Sequence, residues 1–250
     1  MNWTVVLKKQ FRNLYYRFYD GSVTTIKKPA TLNGARWLIK KENDRAYFKG
    51  YYEQEITDFL TRSIGSNDIF LDVGAHVGYF SLLASRLATG GKIISFEPFK
   101  NNIQFIHRIM DLNQVNNWKL VPNAVSDFNG NLFFEEGPTS STGKVLKNTV
   151  LNNANMVEAI SLDQLLVDEQ ICPNIVKIDV EGHGDKVLEG FKSFEKLSGP
   201  CLILLELHHN SNELEYFRER FRNNRITDLK GNHVNLDLDG VPHHIVVYNR

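Results

Sequence analysis

The chain has 250 residues, of which 42% are hydrophobic and 23% are charged. This length suits one large domain, or one domain with a small appendage, and the composition excludes a fibrous or disordered protein. No apolar run reaches the roughly 18 residues of a membrane helix, and residues 1–11 carry neither the apolar stretch nor the cleavage site of a secretion signal. We therefore expect a cytoplasmic protein without a membrane span.

Charge is distributed unevenly along the chain, although its formal net charge is zero. Residues 1–49 hold eleven Lys and Arg against three Asp and Glu, a balance of +8, and the remainder carries −8. Aromatic residues interleave with these cations. Such a segment is either a solvated cap on an acidic domain, the reading we favour, or a surface for a phosphate-bearing partner. We divide the chain into a basic, aromatic-rich N-terminal appendage, residues 1–49, and a main domain, residues 50–250.

Apolar runs and helical patterns alternate from residue 69 onward, which is typical of strand-helix-strand units in a parallel sheet. In chain order we predict strand 69–73, helix 80–87, strand 92–97, helix 101–113, strand 119–121, strand 175–179, helix 185–194, strand 201–207 and helix 213–222. Two further strands, 235–238 and 243–248, flank Asp239-Gly240, a dipeptide typical of hairpin turns. The pattern predicts an α/β fold with a doubly wound, mostly parallel, Rossmann-like sheet and an antiparallel C-terminal edge hairpin.

The segment 128–157 is the least regular part of this pattern. It is rich in Gly, Ser, Thr and Asn, which favour turns and loops. We expect it to form loops over the functional site. Within it, Ser140-Ser141-Thr142-Gly143 supplies hydroxyl groups and flexibility, and ligand binding is expected to order the whole segment 128–157.

A glycine-bearing turn, Asp72-Val73-Gly74-Ala75-His76-Val77-Gly78, joins the first predicted strand to its helix. Ligands of open α/β sheets bind at such strand ends. A dinucleotide-binding turn needs glycine where this chain has His76, whose side chain obstructs a pyrophosphate. Asp72 instead suits the ammonium and sulfonium of S-adenosylmethionine, and Glu97, at the end of the second strand, can accept hydrogen bonds from ribose hydroxyls. The turn therefore predicts S-adenosylmethionine rather than a nicotinamide cofactor.

The motifs and their order resemble those of the FkbM family of S-adenosylmethionine-dependent methyltransferases. The resemblance covers residues 50–208 and rests on Gly50-Tyr51-Tyr52-Glu53, Phe70-Leu71-Asp72-Val73-Gly74-Ala75-His76-Val77-Gly78-Tyr79-Phe80, Phe96-Glu97-Pro98, Asn123-Ala124-Val125-Ser126-Asp127, Ser161-Leu162-Asp163, Val176-Lys177-Ile178-Asp179-Val180-Glu181-Gly182, Val187-Leu188-Glu189-Gly190 and Glu206-Leu207-His208. It implies O-methylation of a hydroxyl on a sugar, a polyketide or another natural product. The cofactor-binding residues predicted with it are Glu53, Asp72, Gly74, Ala75, His76, Gly78, Glu97, Asn123, Ala124 and Asp179.

Two motifs depart from the family pattern. The family commonly has asparagine at the position of His76, and Ala-Glu where this chain has His183-Gly184. The family glutamate is thus missing at Gly184. This loss motivates an alternative hypothesis, a catalytically inactive protein that keeps the fold and the cofactor pocket as a binding module or scaffold.

Methyl transfer to an alcohol requires alignment of the two partners and removal of the hydroxyl proton. Asp179, Glu181 and His208 are the candidate catalytic residues, because they follow the fourth and fifth predicted strands on the ligand side of the sheet. They act either as a direct base or as ligands of a divalent cation such as Mg²⁺. The direct base is favoured, since two carboxylates and one imidazole are a weak case for magnesium.

Nucleic acid is disfavoured as the acceptor. An adenine amino methylase would carry an Asp/Asn-Pro-Pro-aromatic turn where this chain has Asp179-Val180-Glu181-Gly182. A cytosine C5 mechanism needs a cysteine on the ligand side, whereas Cys172 and Cys201 lie at the opposite end of the predicted strands. A small molecule with a hydroxyl group is the expected partner. An RNA ribose O-methyltransferase stays open as an alternative, because its acceptor is also a hydroxyl.

Overall fold

A computed structural model of the chain describes residues 19–40, 45–136, 143–145, 154–208 and 211–249. The strands in these residues are β1 (Val23–Thr25), β2 (Arg36–Leu38), β3 (Ile69–Val73), β4 (Lys92–Phe96), β5 (Trp118–Val121), β6 (Ala124–Val125), β7 (Gly130–Glu136), β8 (Gly143–Val145), β9 (Ala154–Ile160), β10 (Ile175–Ile178), β11 (Leu202–Glu206), β12 (Arg225–Thr227) and β13 (His244–Tyr248). The helices are α1 (Ala46–Lys49), α2 (Gln54–Ser63), α3 (Tyr79–Leu87), α4 (Lys100–Leu112), α5 (Leu162–Glu169), α6 (Gly184–Glu189) and α7 (Ser211–Arg220). Across the described ranges, helices are too short or too polar to cross a membrane.

A seven-stranded sheet with the order β12-β13-β11-β10-β3-β4-β5 forms the centre of the protein. Strands β11, β10, β3, β4 and β5 are parallel, whereas β13 is antiparallel to both β11 and β12. The chain runs outward from β3 through β4 to β5 and then returns to β10 on the other side of β3. That reversal places a crevice at the carboxyl ends of β3 and β10, where ligands of such sheets bind. The predicted doubly wound, Rossmann-like α/β fold is confirmed.

The sheet is covered on both faces, so its central strands are buried along almost their whole length. All four residues of β10 are buried, as are four of the five in β3. On one face, Trp37 is fully buried and packs edge-on against Tyr79 and Phe105. Ile26 and Leu32 belong to the same core cluster. The described part of the basic segment therefore shares an apolar core with helices α3 and α4.

The antiparallel C-terminal edge is confirmed, but the prediction of a strand at 235–238 was wrong. The strand that pairs with β13 on the side away from β11 is β12, in register from Arg225 opposite Tyr248 to Thr227 opposite Val246. Residues 235–238 form a turn, in which the Asp237 N–H donates to the Asn235 side chain. Val234 and Leu236 alternate with polar residues, a pattern typical of a strand, because both are buried in the core. The residues 235–238 nevertheless pair with no strand among the described residues.

The prediction of loops throughout 128–157 was also wrong in part. Strands β7, β8 and β9 lie in this segment and form a second, four-stranded sheet of order β6-β9-β7-β8. Leu132 and Ala159 pack against Ala124, so a small apolar cluster supports pairing despite the polar composition. Residues 137–142, which include Ser140-Ser141-Thr142, and residues 146–153 lie outside the described part of the chain.

Helix α6 ends at Glu189, five residues before its predicted end at 194. Gly190 follows, where an added Cβ would lie 2.1 Å from the Ser126 carbonyl oxygen. The next backbone N–H groups, of Lys192 and Ser193, donate to the Asp163 carboxylate instead of continuing the helix. This close approach joins the end of α6 to the loop after β6, at the border of the candidate active site.

Candidate active site

The turn after β3 is held in a tight, left-handed conformation. Gly74, His76 and Gly78 have φ values of 81°, 50° and 77°. The N–H groups of Gly74 and Ala75 both donate to the Phe96 carbonyl at the end of β4, at 3.1 and 3.0 Å. A Cβ on Gly74 would lie 2.0 Å from the carbonyl oxygen of Asp179. Gly74 is therefore required for the close approach of the β3 turn to the end of β10.

His76 occupies a conformation in which asparagine and histidine are enriched among non-glycine residues. Its Nδ1 lies 3.2 Å from the Tyr47 hydroxyl, and its backbone N–H donates to Glu97 Oε2 at 2.9 Å. Burial lowers the pKa of His76 to about 4, so its imidazole is neutral near pH 7. His76 thus bridges Tyr47 and Glu97 without adding charge to the site.

Glu97 is nearly fully buried at the carboxyl end of β4. Besides the His76 N–H, its carboxylate accepts hydrogen bonds from the Phe99 N–H at 3.0 Å and from the Asn102 side-chain amide at 3.2 Å. A carboxylate has about four acceptor positions, so about one remains for a ligand. Burial raises the pKa of Glu97 to about 7, and these three hydrogen bonds oppose that rise.

Behind the strand ends, Lys177 lies between two carboxylates. Its Nζ is 2.9 Å from Asp179 Oδ2 and 3.9 Å from Asp72 Oδ1, and its side chain is 3% exposed. Asp72 also accepts a hydrogen bond from the Ser81 hydroxyl. Burial would lower the pKa of Lys177, but the attraction of Asp179 and Asp72 outweighs it and holds the ammonium charged. Asp72 therefore lies one layer behind the site, where it compensates a buried cation.

Asp179 and Glu206 form a second carboxyl pair, at the ends of β10 and β11. Burial would raise the pKa of Asp179, yet Lys177 holds it well below its ordinary range. Burial, reinforced by the neighbouring Asp179, raises the pKa of Glu206 to about 9. Near neutral pH, Glu206 is therefore protonated and donates a hydrogen bond to the ionised Asp179.

A cavity of about 300 Å³ opens over these strand ends. Of the predicted cofactor residues, Glu53, Gly74, His76, Glu97, Asn123, Ala124 and Asp179 line it. Ala75 and Gly78 are buried in the turn that supports its wall. Among the described residues, the Oε2 atom of Glu53 is buried without a hydrogen-bond partner, and burial raises the pKa of this carboxyl.

The predicted catalytic residues follow strands β10 and β11. These strands lie on the other side of β3 from β4, the strand that Glu97 follows. Asp179 and Glu181 line the cavity, and the Glu181 side chain is 48% exposed. His208 Nδ1 lies 3.9 Å from Glu181 Oε2. A ring nitrogen of His208 is also within 4.8 Å of carboxyl oxygens of Asp179 and Glu206. The three residues are thus neighbours, and Glu206 belongs with them.

Lys177 and Glu206 were missed by the sequence analysis. Lys177 is a charged residue inside the apolar run Ile175-Val176-Lys177-Ile178, a position where charge requires a buried partner. Glu206 ends an apolar strand in the same way that Asp179 follows one. Both signals were present in the sequence, and the residue type at the strand end would have been enough to find Glu206.

At Gly184, the position of the missing family glutamate, another carboxylate is present. Glu213 of α7 accepts a hydrogen bond from the Gly184 N–H at 3.0 Å, and a Cβ on Gly184 would lie 2.8 Å from the same Glu213 oxygen. His183, the residue before Gly184, lines the cavity, and its Nε2 lies 3.1 Å from the Ser126 hydroxyl. The absence of a side chain at Gly184 thus makes room for the carboxylate of Glu213.

The fold and the cavity at its strand switch define a ligand-binding protein of the doubly wound α/β class. A family profile described as "Methyltransferase FkbM domain" matches residues 72–228. The chain belongs to the FkbM methyltransferase family, as its motifs predicted.

The chain is also similar to one named relative and to two solved structures. Hexuronic acid methyltransferase AglP of Haloferax volcanii is 26% identical over 159 residues, which span 62% of this chain and 62% of AglP. M. jannaschii TYW2 in complex with AdoMet is 12% identical, with a TM-score of 0.48 over 92% of this chain and 84% of that chain. Precorrin-6y C5,15-methyltransferase from Geobacter metallireducens is 13% identical, with a TM-score of 0.47 over 82% and 92% of the respective chains.

Proposed function

We propose that the protein transfers a methyl group from S-adenosylmethionine to a hydroxyl group of a sugar or a similar small acceptor. The observation that carries the proposal is the cavity at the strand switch of an FkbM family member, with Glu97 on the β4 side and Asp179 on the β10 side. Glu97 follows the strand next to β3, where ribose-binding carboxylates of such folds lie. Asp179 follows the strand on the other side.

The residues present fit this cofactor. Glu97 keeps about one acceptor position for a ribose hydroxyl. The buried Oε2 atom of Glu53 and the ionised Asp179 are acceptors suited to an ammonium group. The cofactor supplies a methyl group already activated on a sulfonium, so the protein's tasks are to align the acceptor and to take up its proton. Asp72, one layer behind, stabilises this arrangement through Lys177.

His208 is the residue we assign to proton uptake, with Asp179 orienting the acceptor hydroxyl. The low pKa of Asp179 makes it a good hydrogen-bond acceptor and a weak base. Imidazole is the side chain that most often takes up a proton in general-base catalysis. Glu181 Oε2 lies 3.9 Å from Nδ1 and is placed to orient the ring of His208 towards the acceptor hydroxyl.

The name of a relative supports the choice of acceptor class. AglP is named for methylation of a hexuronic acid, and the chain spans less than two thirds of AglP, so the acceptor here is part of the proposal. We infer that a sugar bearing hydroxyl groups, with a hexuronic acid as the first choice, is the acceptor. Mg²⁺ is not needed for the direct-base route, and its addition should leave the rate unchanged.

Binding is the first test. Calorimetric titration should show binding of S-adenosylmethionine and its demethylated product, and none of NAD. Glu97→Ala should weaken S-adenosylmethionine at least tenfold, about 1.4 kcal/mol. Glu55→Ala is the matched control, because this carboxylate is 76% exposed on α2. Equal affinity of the two variants would remove Glu97 from the site, and NAD binding without S-adenosylmethionine binding would refute the proposal.

Transfer is the second test. The chain is incubated with methyl-labelled S-adenosylmethionine and one of three acceptors, a glucuronoside, the matching glucoside or a structured RNA. We expect label on a hydroxyl of a sugar, with His208→Ala reducing turnover by about 100-fold or more at unchanged cofactor affinity. Label on RNA alone would favour a ribose methyltransferase. Binding without transfer to any acceptor would favour the inactive binding module.

A further inference from the structure

We propose that Glu206, His243 and His244 form a binding site for a divalent transition metal of the Zn²⁺ class, at the edge of the cavity. The three residues meet where β11 ends and β13 begins, and Glu206 is the register partner of His244 in this antiparallel pair. The site goes beyond methyl transfer, which does not depend on it in the mechanism above.

The donor atoms converge on one point. His243 Nε2 lies 3.5 Å from Glu206 Oε1, and His244 Nε2 lies 3.9 Å from Glu206 Oε2. One donor atom from each of the three residues lies within 4.8 Å of the other two. Ligand atoms around a tetrahedral Zn²⁺, each about 2.0–2.2 Å from the metal, are separated by about 3.3 Å. Small side-chain rotations therefore suffice to close the group around an ion.

The backbone brings both imidazoles to the same side. Consecutive residues of a regular strand point to opposite faces of a sheet. His243 precedes β13 in a bend, where its carbonyl accepts a hydrogen bond from the Leu207 N–H at 2.7 Å. The two rings lie nearly parallel, 18° apart, with centroids separated by 4.9 Å. Both rings therefore present a nitrogen to one carboxyl group.

Among the polar atoms of these three residues, one lacks a hydrogen-bond partner within the described part of the chain. His244 Nε2 is buried and makes no hydrogen bond there, and an imidazole nitrogen in this state is a cost that coordination would remove. Binding of the ion would release the proton that Glu206 shares with Asp179, because a ligating carboxylate is ionised. A cation would also place positive charge against both carboxyl groups.

The ligand types select the metal. Two imidazoles and one carboxylate suit Zn²⁺ and its neighbours in the first transition row, whereas Mg²⁺ prefers oxygen ligands and retained water. The His243 side chain is 54% exposed, so an ion can enter from solvent. Three protein ligands leave a fourth position, as in zinc sites that bind water or another small ligand.

The test is calorimetric titration of the full chain with ZnCl₂ and, separately, with MgCl₂, after removal of metals with a chelator. We expect one Zn²⁺ per chain and no Mg²⁺ binding at the same concentrations. His243→Gln and His244→Gln should each weaken Zn²⁺ at least tenfold. His233→Gln is the matched control, because this histidine is exposed and does not belong to the group of three.

Absence of Zn²⁺ binding would overturn the proposal, as would equal Zn²⁺ affinity of the wild type and both variants. Circular dichroism checks that each variant is folded. If His244→Gln is not folded, His243→Gln decides, since its half-exposed side chain can change without altering the core. Titration of the metal-free chain with S-adenosylmethionine in parallel separates failure of the metal site from failure of the proposed function.

Discussion

Replacement of Gly74 by alanine tests whether the β3 turn and the end of β10 must touch. The new Cβ would lie 2.0 Å from the Asp179 carbonyl oxygen and 3.0 Å from its carbonyl carbon. These are backbone atoms, so no side-chain rotation relieves the overlap. The ends of two neighbouring parallel strands must move apart, and Asp179 moves with them.

Gly182→Ala is the matched control for this change. Gly182 has φ of 70°, close to the 81° of Gly74, but an added Cβ meets nothing within 4 Å. Alanine in a left-handed conformation costs about 1–2 kcal/mol, which both variants share. Overpacking adds about 1–3 kcal/mol at Gly74 alone. We therefore expect a loss of about 2–5 kcal/mol for Gly74→Ala and about 1–2 kcal/mol for Gly182→Ala.

Urea denaturation followed by circular dichroism measures both free energies of unfolding, with an unchanged slope as the sign that both variants are compact. Gly74→Ala should also weaken S-adenosylmethionine, because Asp179 is displaced. If the two variants differ in stability by less than about 0.5 kcal/mol, which is the scale of ordinary surface substitutions, the close contact is not a constraint and the reasoning is refuted.

Three further outcomes are expected. The pKa of Glu97 is raised to about 7, and ribose hydroxyls bond best to its ionised form. The affinity for S-adenosylmethionine should therefore rise with pH up to about 7 and then level off. A calorimetric affinity that does not change with pH would contradict this. Hydrogen bonds from Lys119 and Lys92 lower the pKa of Glu169 to about 2, so this carboxylate stabilises the fold above its unfolded pKa and the effect is lost as pH falls towards 2. Glu169→Gln should therefore cost about 1 kcal/mol or less at pH 7 and nothing at pH 2 in urea denaturation. Trp37→Ala should lower the free energy of unfolding by about 3–5 kcal/mol. Trp37→Phe should lower it clearly less, because Trp37 Nε1 is buried without a partner in the described residues and its loss removes no hydrogen bond there. Equal losses for the two variants in urea unfolding would argue against packing as the cause.

The central fold could be predicted from the sequence because its signals are local. The run Ile69–Val73 is followed by a glycine turn and then by a largely apolar helix, and these features alone specify a strand, a tight turn and a crossover helix. Glu97 was found for the same reason, since its position at the end of an apolar run places it beside that turn. These elements need no knowledge of distant parts of the chain.

The parts that were missed depend on distant pairing. Strand β12 is short, with three residues, and is a strand because β13 lies beside it. In the same way, β7 is polar in composition and becomes a strand by pairing with β9. The approach of His244 to Glu206 follows from the β11–β13 register, which no periodicity reveals. The roles assigned to Asp179, Glu181 and His208 stay predictions.

The buried Lys177 has a consequence for how this sequence can diverge. One ammonium serves both Asp72, on β3, and Asp179, at the mouth of the cavity. Loss of the lysine alone would leave two carboxylates facing each other without a counter-charge, and loss of either acid would leave less charge to hold the lysine ionised. The three positions form one electrostatic unit spread over two adjacent strands. In homologous chains they should therefore be inherited or replaced together, as a correlated triplet rather than as three independent sites.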